Sequence, residues 1–374
     1  MSSYIGLMSG TSLDGIDAVL LQQSDSGWRI SDVRHQDYEP QLLVRLRAAI
    51  EQPHLLGINE LGELDTLVGE AFAQAALALQ KHCGLATAQI RAIGSHGQTV
   101  RHQPHGAAPF TLQIGDPNVI AERTGIDVVA DFRRRDVAAG GEGAPLVPAF
   151  HSAVFGAVGK TRVVVNIGGI ANITVLPVSG PILGFDTGAG NCLMDGWMQR
   201  HFDQAFDKGG ALACTGMVCE PLLGILLAEP YLQRQPPKST GRELFHLSWL
   251  DAQLDSLGQQ LTVADVQATL CEFTARSIAA AILSWAAGAT DVVVCGGGAF
   301  NTQLLHRLRA CLPELLVQTS DALGLAPLQV EAAAFAWLAH QRLLGAAGNL
   351  PSVTGAKGPR PLGAIYAGSV TKSI

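Results

Sequence analysis

The sequence is poor in charge and holds no closely paired cysteines. Asp, Glu, Lys and Arg make up 15% of its 374 residues, which marks a well-packed globular chain rather than long disorder. The seven cysteines (Cys83, Cys192, Cys214, Cys219, Cys271, Cys295, Cys311) form no Cys-x-x-Cys pair. An odd, scattered set argues against a zinc knuckle or redox motif and suits free buried thiols in a reducing compartment. The net charge is −7 and the only basic run is Arg133-Arg134-Arg135. That excludes the basic footprint a nucleic-acid partner calls for. Long hydrophobic runs are also missing. The longest, 277–289, is too short to span a bilayer. No basic start precedes the first apolar stretch, which Gly6, Gly10 and Asp14 interrupt, so a signal peptide is not expected. A soluble, cytoplasmic protein with no membrane partner is the expectation.

The familiar nucleotide and nucleophile motifs are missing too. Gly159-Lys160-Thr161 ends like a P-loop, but Val154 stands where the first glycine belongs and a strand follows instead of a helix. No Gly-x-Gly-x-x-Gly follows a strand. Gly10-Thr11-Ser12-Leu13-Asp14 places Asp14 where a nucleophile elbow needs glycine.

What is abundant is glycine, 42 residues gathered in short runs: Gly6 to Gly15, Gly140 to Gly143, Gly168-Gly169 and Gly296 to Gly298. The length predicts two domains. Tyr4–Met8 and Ala18–Gln22 read as strands around a loop from Ser9 to Asp17. Asn59 is positioned to cap a helix whose Leu61, Leu64, Val68, Phe72, Ala75 and Leu79 share one face. Ile90–Ser95 reads as a strand, Asp116-Pro117 as a helix start closed by Gly125, and Ile126–Ala130 as a further strand. The segment 131–145 is the expected crossing, giving domains 1–131 and 132–374. A helix near 145–155 opens the second half. The strands Thr161–Ile167 and Ile170–Leu176 then repeat the glycine-tipped hairpin of the first half. A helix capped by Thr262 and Asp265 runs to Ala286, the strand Asp291–Cys295 meets the glycine triplet, and a last apolar helix carries Glu331 to about Leu344. Two halves of the same plan suggest duplicated α/β domains with the ligand in the cleft between them.

Each candidate site has a structural alternative. The loop Gly10, Thr11, Ser12, Leu13, Asp14, Gly15, Ile16, Asp17 offers consecutive amides for phosphate oxygens, and Asp14 suits a Mg²⁺ lying between carboxylate and phosphate. A tight surface hairpin explains its glycines less fully, because the loop is longer than a hairpin needs. Asn166, Gly168 and Gly169 form either a second phosphate cradle or a plain turn. Gly296, Gly297 and Gly298 admit either a flat ligand such as adenine or close helix-on-sheet packing. Asp186, after a buried strand and before a helix, reads as a general base or as that helix's cap. His96, His102 and His105 match no metal-ligand spacing, and His96 reads better as a substrate contact. Glu331 on an apolar helix wants a partner.

These motifs together resemble the anhydro-N-acetylmuramic acid kinases. The resemblance rests on Gly6-Leu7-Met8-Ser9-Gly10-Thr11-Ser12-Leu13-Asp14-Gly15, 95–102 (Ser-His-Gly-Gln-Thr-Val-Arg-His), Asp131-Phe132-Arg133, 166–172, Phe185-Asp186-Thr187-Gly188, Lys238-Ser239-Thr240-Gly241-Arg242-Glu243 and Gly296-Gly297-Gly298-Ala299. It implies a two-domain α/β fold of the actin, Hsp70 and sugar-kinase (ribonuclease-H-like) type, with the active site in the interdomain cleft, and a homodimer. It implies ATP and Mg²⁺ as cofactors. The implied reaction phosphorylates O6 of 1,6-anhydro-N-acetylmuramic acid while water opens the anhydro bridge at C1, a step of cell-wall recycling. Asp186 corresponds to the family's catalytic aspartate, Glu331 to an acid near the sugar, and His96 and Arg133 to sugar contacts. Ala189-Gly190 departs from the Pro-Ala or similar pair expected after Asp186-Thr187-Gly188.

The alternative of the same fold is a kinase acting on a free sugar hydroxyl, without water incorporation. An ATP-switched binding protein like Hsp70 would need a partner-binding extension, which is not expected beyond Gly368. A non-enzymatic sugar binder leaves the glycine loops unexplained.

Overall fold

The computed structural model describes residues 2–10, 13–25, 27–241 and 243–368. Along the chain come β1 (Ser2–Met8), β2 (Ile16–Ser24), β3 (Gly27–Gln36), α1 (Pro40–Glu51), α2 (Ile58–His82), β4 (Ile90–Ser95), β5 (Gln98–Gln103), β6 (Phe110–Ile114), α3 (Pro117–Thr124), β7 (Val128–Ala130), α4 (Phe132–Ala138) and α5 (Val147–Phe155). There follow β8 (Thr161–Ile167), β9 (Ile170–Leu176), β10 (Leu183–Ala189), α6 (Cys192–Phe202), α7 (Ala211–Thr215), α8 (Glu220–Leu227), α9 (Leu247–Leu257), α10 (Val263–Trp285), β11 (Ala289–Cys295), α11 (Thr302–Cys311) and β12 (Leu316–Thr319). The last elements are α12 (Val330–Leu343), α13 (Pro351–Thr354) and β13 (Ala364–Tyr366).

Two compact units result, one of residues up to Phe150 together with those from Gln329 onward, the other His151–Leu328. The expected boundary at 131/132 therefore differs from the observed one at both ends. α12 packs with the first unit because its partners lie there, Phe335 standing 4.6 Å from the His96 ring and His340 Nδ1 bonding Tyr4 OH at 2.9 Å. Residues 132–150 follow it, Phe132 lying 5.5 Å from Phe335 and Phe150 6.1 Å from Trp337 between ring centroids.

In the first unit the sheet order is β13-β7-β4-β1-β2-β3. β1, β2 and β3 form an antiparallel meander, while β4 runs parallel to β1 and β7 parallel to β4. β3 (Gly27-Trp28-Arg29-Ile30-Ser31-Asp32-Val33-Arg34-His35-Gln36) is a half-exposed edge strand whose polar residues gave no strand signal in the sequence. α2 buries Leu64, Val68, Phe72, Ala75 and Leu79, the face its 3.6-residue period predicts. Its cap, however, is Gly57, and Asn59 lies inside the helix. α3 starts as expected: Asp116 accepts from Asn118 N at 2.8 Å, and Gly125 closes the helix at φ 67°.

α12 lies on the same sheet, and two glycines admit it. A Cβ on Gly6 would overlap the Ala332 carbonyl, and one on Gly94 would overlap the Phe335 carbonyl. Backbone thus packs directly on backbone, which only glycine permits.

The second unit has the order β10-β9-β8-β11-β12, again an antiparallel meander followed by two parallel strands. The β8 and β9 bounds match the sequence expectation. The core gathers Val163, Val165, Ile173, Phe185, Phe273 and Ile278, with α10 supplying much of one side. Thr262 caps α10 by accepting from Asp265 N at 3.1 Å. Five strands in one shared order, present once per unit, are the duplicated α/β plan of the actin, Hsp70 and sugar-kinase fold.

Candidate active site

In the first unit the chain leaves β1 at Met8 and re-enters the sheet at Ile16. The loop is therefore shorter than the expected 9–17: Ile16 and Asp17 belong to β2, and Ile16 is fully buried. Thr11 and Ser12 lie outside the described residues. Leu13 adopts φ 58° and packs inward, whereas Asp14 projects into solvent. Gly15, at φ 146°, approaches His35 so closely that a Cβ would lie 2.6 Å from its Nε2. His35 braces the loop, pairing with Asp17 Oδ1 at 2.8 Å and with the Asp14 carbonyl at 3.2 Å. Burial opposes its protonation, but the Asp17 carboxylate, with the Asp14 carbonyl and Asp37, outweighs burial and raises the imidazole pKa. Gln98, fully buried, ties the loop from below by donating to the Gly10 carbonyl at 3.3 Å.

The same unit brings His96, Arg133 and Glu331 together. Arg133 Nε donates to His96 Nε2 at 2.9 Å, and its Nη1 donates to the Gly143 carbonyl at 2.8 Å. Burial, then the Arg133 charge, holds His96 well below its ordinary range. Burial also pushes Arg133 down to about 10, partly offset by the carboxylates of Glu331 and Asp136. Glu331 stands in the first turn of α12, and Phe335 one turn on lies 4.6 Å from the His96 ring. Asp136 is completely buried and accepts from Gly143 N, Asn349 and Thr354, which fixes the loop that Arg133 grips.

The three histidines of the 96–105 segment go separate ways. His102 bonds Thr111 at 3.0 Å and His105 meets Glu142 at 3.1 Å. Among the described residues no cluster of three His, Cys, Asp or Glu is arranged to hold a metal. A cavity of about 310 Å³ in this unit is walled by Ser95, His96, Gln113, Asp116 and Asp131 among others. Ser95 lines this cavity, and its hydroxyl is buried with no hydrogen-bond partner among the described residues.

In the second unit Asp186 lies within β10, where a bulge between it and Gly188 breaks the ladder with β9. Bulges re-aim side chains. Asn191, not Asp186, stands at the cap position of α6, so the capping alternative is removed. Asp186 Oδ2 accepts from Ser239 Oγ at 2.8 Å and from Thr240 N at 3.0 Å. Burial raises its pKa, and those two donors only partly offset the effect. Tyr231 OH donates to the Asp186 carbonyl at 2.9 Å.

The glycine loops of this unit converge. Gly190 N and Asn191 N donate to the carbonyls of Gly169 and Gly168 at 2.9 and 2.8 Å. Asn191 Nδ2 donates to Ile167 O at 3.3 Å. Gly296, beside Asn166 across the β8–β11 ladder, and Gly298, against Ile167, leave no room for a Cβ. Close packing therefore accounts for these two glycines. Gly297 is exposed and free of such contact. Sequence reasoning missed Ser239, Thr240, Gln98 and Asp136 as supports of the site. Their only signal was membership of quoted motifs or, for Asp136, nothing at all.

A family model described as anhydro-N-acetylmuramic acid kinase matches residues 2–368. The anhydro-N-acetylmuramic acid kinase of Xylella fastidiosa is 50% identical over 366 residues, covering 97% of this chain and 96% of that protein. The one from Xanthomonas axonopodis pv. citri is 53% identical over 367 residues, 97% of each. Among solved structures, a ROK family glucokinase from Streptomyces griseus in complex with glucose and AMPPNP aligns at TM-score 0.42 and 14% identity, over 91% of this chain and 100% of that one. Half-identical relatives along almost their whole length, with a family match from end to end, place this chain in the anhydro-N-acetylmuramic acid kinase family.

Proposed function

We infer that this protein is an ATP-dependent kinase that converts 1,6-anhydro-N-acetylmuramic acid and water into N-acetylmuramic acid 6-phosphate and ADP, in peptidoglycan recycling. The observation that carries this is the family match over residues 2–368. An anhydro sugar has no free 6-hydroxyl, so O6 must leave C1 as it attacks the γ-phosphorus, and water must take its place on C1.

Asp186 is the proposed base that takes the proton from this water. Its carboxylate is held on rigid elements, with Oδ2 occupied by Ser239 and Thr240. Arg133 and His96 are the proposed sugar contacts, the guanidinium suiting the lactyl carboxylate. Glu331 would position water or sugar beside them. The proposed phosphate contacts are those of the loop from Gly10 to Gly15; Asn166, Gly168, Gly169 and the exposed Gly297 are the proposed nucleotide contacts of the second unit.

Mg²⁺ fits this donor set. The ion keeps most of its waters and takes one or two carboxylates besides phosphate oxygens. Asp14 offers such a carboxylate to solvent, while Asp17 is already engaged by His35. The ion would offset charge on the moving phosphoryl group. A homodimer and a cytoplasmic location complete the reading and follow from the family resemblance.

The test is turnover in ¹⁸O-water with Mg-ATP and the anhydro sugar, with free N-acetylmuramic acid and glucose in parallel. One ¹⁸O in the sugar phosphate, from the anhydro sugar alone, is expected. Turnover of a free sugar with no label would leave an ordinary sugar kinase instead.

A further inference from the structure

We propose that the segment Lys238-Ser239-Thr240 is a positioning clamp, which fixes one oxygen of the Asp186 carboxylate so that the other is aimed at the reacting water. This rests on Asp186 as the base. The two donors, Ser239 Oγ at 2.8 Å and Thr240 N at 3.0 Å, converge on the same oxygen, Oδ2. A carboxylate bonded twice through one oxygen cannot spin about its terminal torsion, which is otherwise broad and soft. The backbone is gripped as well. Asp186 N donates to the Lys238 carbonyl at 3.3 Å, and the Asp186 carbonyl accepts from Tyr231 OH at 2.9 Å.

The clamp is itself anchored. Lys238 Nζ donates to the carbonyls of Leu232 and Tyr231 at 3.0 and 3.3 Å. It also sits 4.8 Å over the Tyr231 ring and 5.6 Å over that of Phe185, the neighbour of Asp186. The lysine ammonium therefore serves as a peg: it holds segment 238–240 against β10 and is spent on carbonyls and rings. Charged and titratable groups acting on Asp186 are Glu243 and Lys238, with the Tyr231 phenol adjoining.

The decisive variant is Ser239→Ala, read by the pH profiles of kcat and kcat/KM with the anhydro sugar. Without its donor the ionised carboxylate loses a charge-assisted hydrogen bond. The acid limb should then move up by about one pH unit, and the plateau kcat should fall about tenfold. KM for both substrates and the melting temperature should stay near wild type, and Ser239→Thr should restore the profile. Lys238→Met should lower kcat in the same direction by releasing the peg.

A Ser239→Ala enzyme with the wild-type limb and kcat would overturn the clamp, as would a loss that tracks only a lower melting temperature. Asp186→Asn run alongside separates the two readings. An inactive Asp186→Asn beside a normal Ser239→Ala leaves the base and removes the clamp. An active Asp186→Asn removes both.

Discussion

Arg133 and His96 share one proton arrangement: the guanidinium Nε donates to imidazole Nε2 at 2.9 Å, so that nitrogen is the acceptor and the ring is neutral. Burial and the Arg133 charge both hold His96 in this form. Arg133→Lys cannot reproduce the fork that also reaches the Gly143 carbonyl. The expected outcome is a KM for the amino sugar raised roughly tenfold to a hundredfold, the size of a lost charged hydrogen bond. KM for ATP should change far less. Steady-state kinetics with each substrate varied would check this, and an equal rise in both KM values would remove Arg133 from the sugar side.

The acid limb of kcat/KM should lie above the ordinary aspartate range. Burial raises the Asp186 pKa, and the base must be deprotonated to act, so activity falls as pH drops through that raised value. A limb at or below about 3.9 would contradict this assignment.

Chelation should abolish turnover and Mg²⁺ should restore it. Asp14→Asn should raise the Mg²⁺ concentration for half-maximal rate several-fold, with the sugar KM little changed. A titration of rate against Mg²⁺ at saturating substrates reads this directly.

Acid should weaken the second unit through a buried histidine. His151 is buried against Thr174, and burial pushes its pKa down to about 3. In the unfolded chain it binds a proton near pH 6.5, so stability is whole above 6.5 and declines as pH falls toward the folded value. By pH 5 the loss is about 2 kcal/mol. In His151→Asn, urea unfolding at pH 7 and pH 5 should differ by that much less than in wild type.

Gly94→Ala should be among the most damaging small changes. The added methyl meets the Phe335 carbonyl, so α12 must lift from the sheet and carry Glu331 with it. A loss of about 3 kcal/mol is expected, measured by thermal or urea unfolding of the purified variant. By contrast, Glu272→Ala should cost only about 2 kcal/mol. Its partners Arg276 and Arg307 are 40% and 33% exposed and can turn to water once the carboxylate is gone.

Local signals account for what the sequence made legible. The β8–β9 pair shows because β-branched runs flank Gly168-Gly169, and α3 shows because cap, proline and closing glycine all sit within ten residues. β3 stayed hidden because an edge strand in contact with solvent needs no apolar run. Asp186 stood out by its neighbours, yet what holds it lies 53 and 54 residues further on. No periodicity or cap registers a contact of that separation. The return of α12 to β1 was hidden for the same reason, since the two meet only in the folded unit.

Residues 151–328 form a unit whose sequence is inserted within that of the other. During synthesis from the N-terminus, then, the first domain to begin is the last to finish. Its covering helix and its edge strand β13 emerge only after the inserted unit is complete. Until then the sheet that bears Gly6 and Gly94 stands with one face uncovered and one edge unpaired, a state open to chaperones and proteases alike. A chain cut after Leu328 would hold the whole second unit and an unfinished first one. C-terminal truncation should therefore be read out in the domain at the opposite end of the gene.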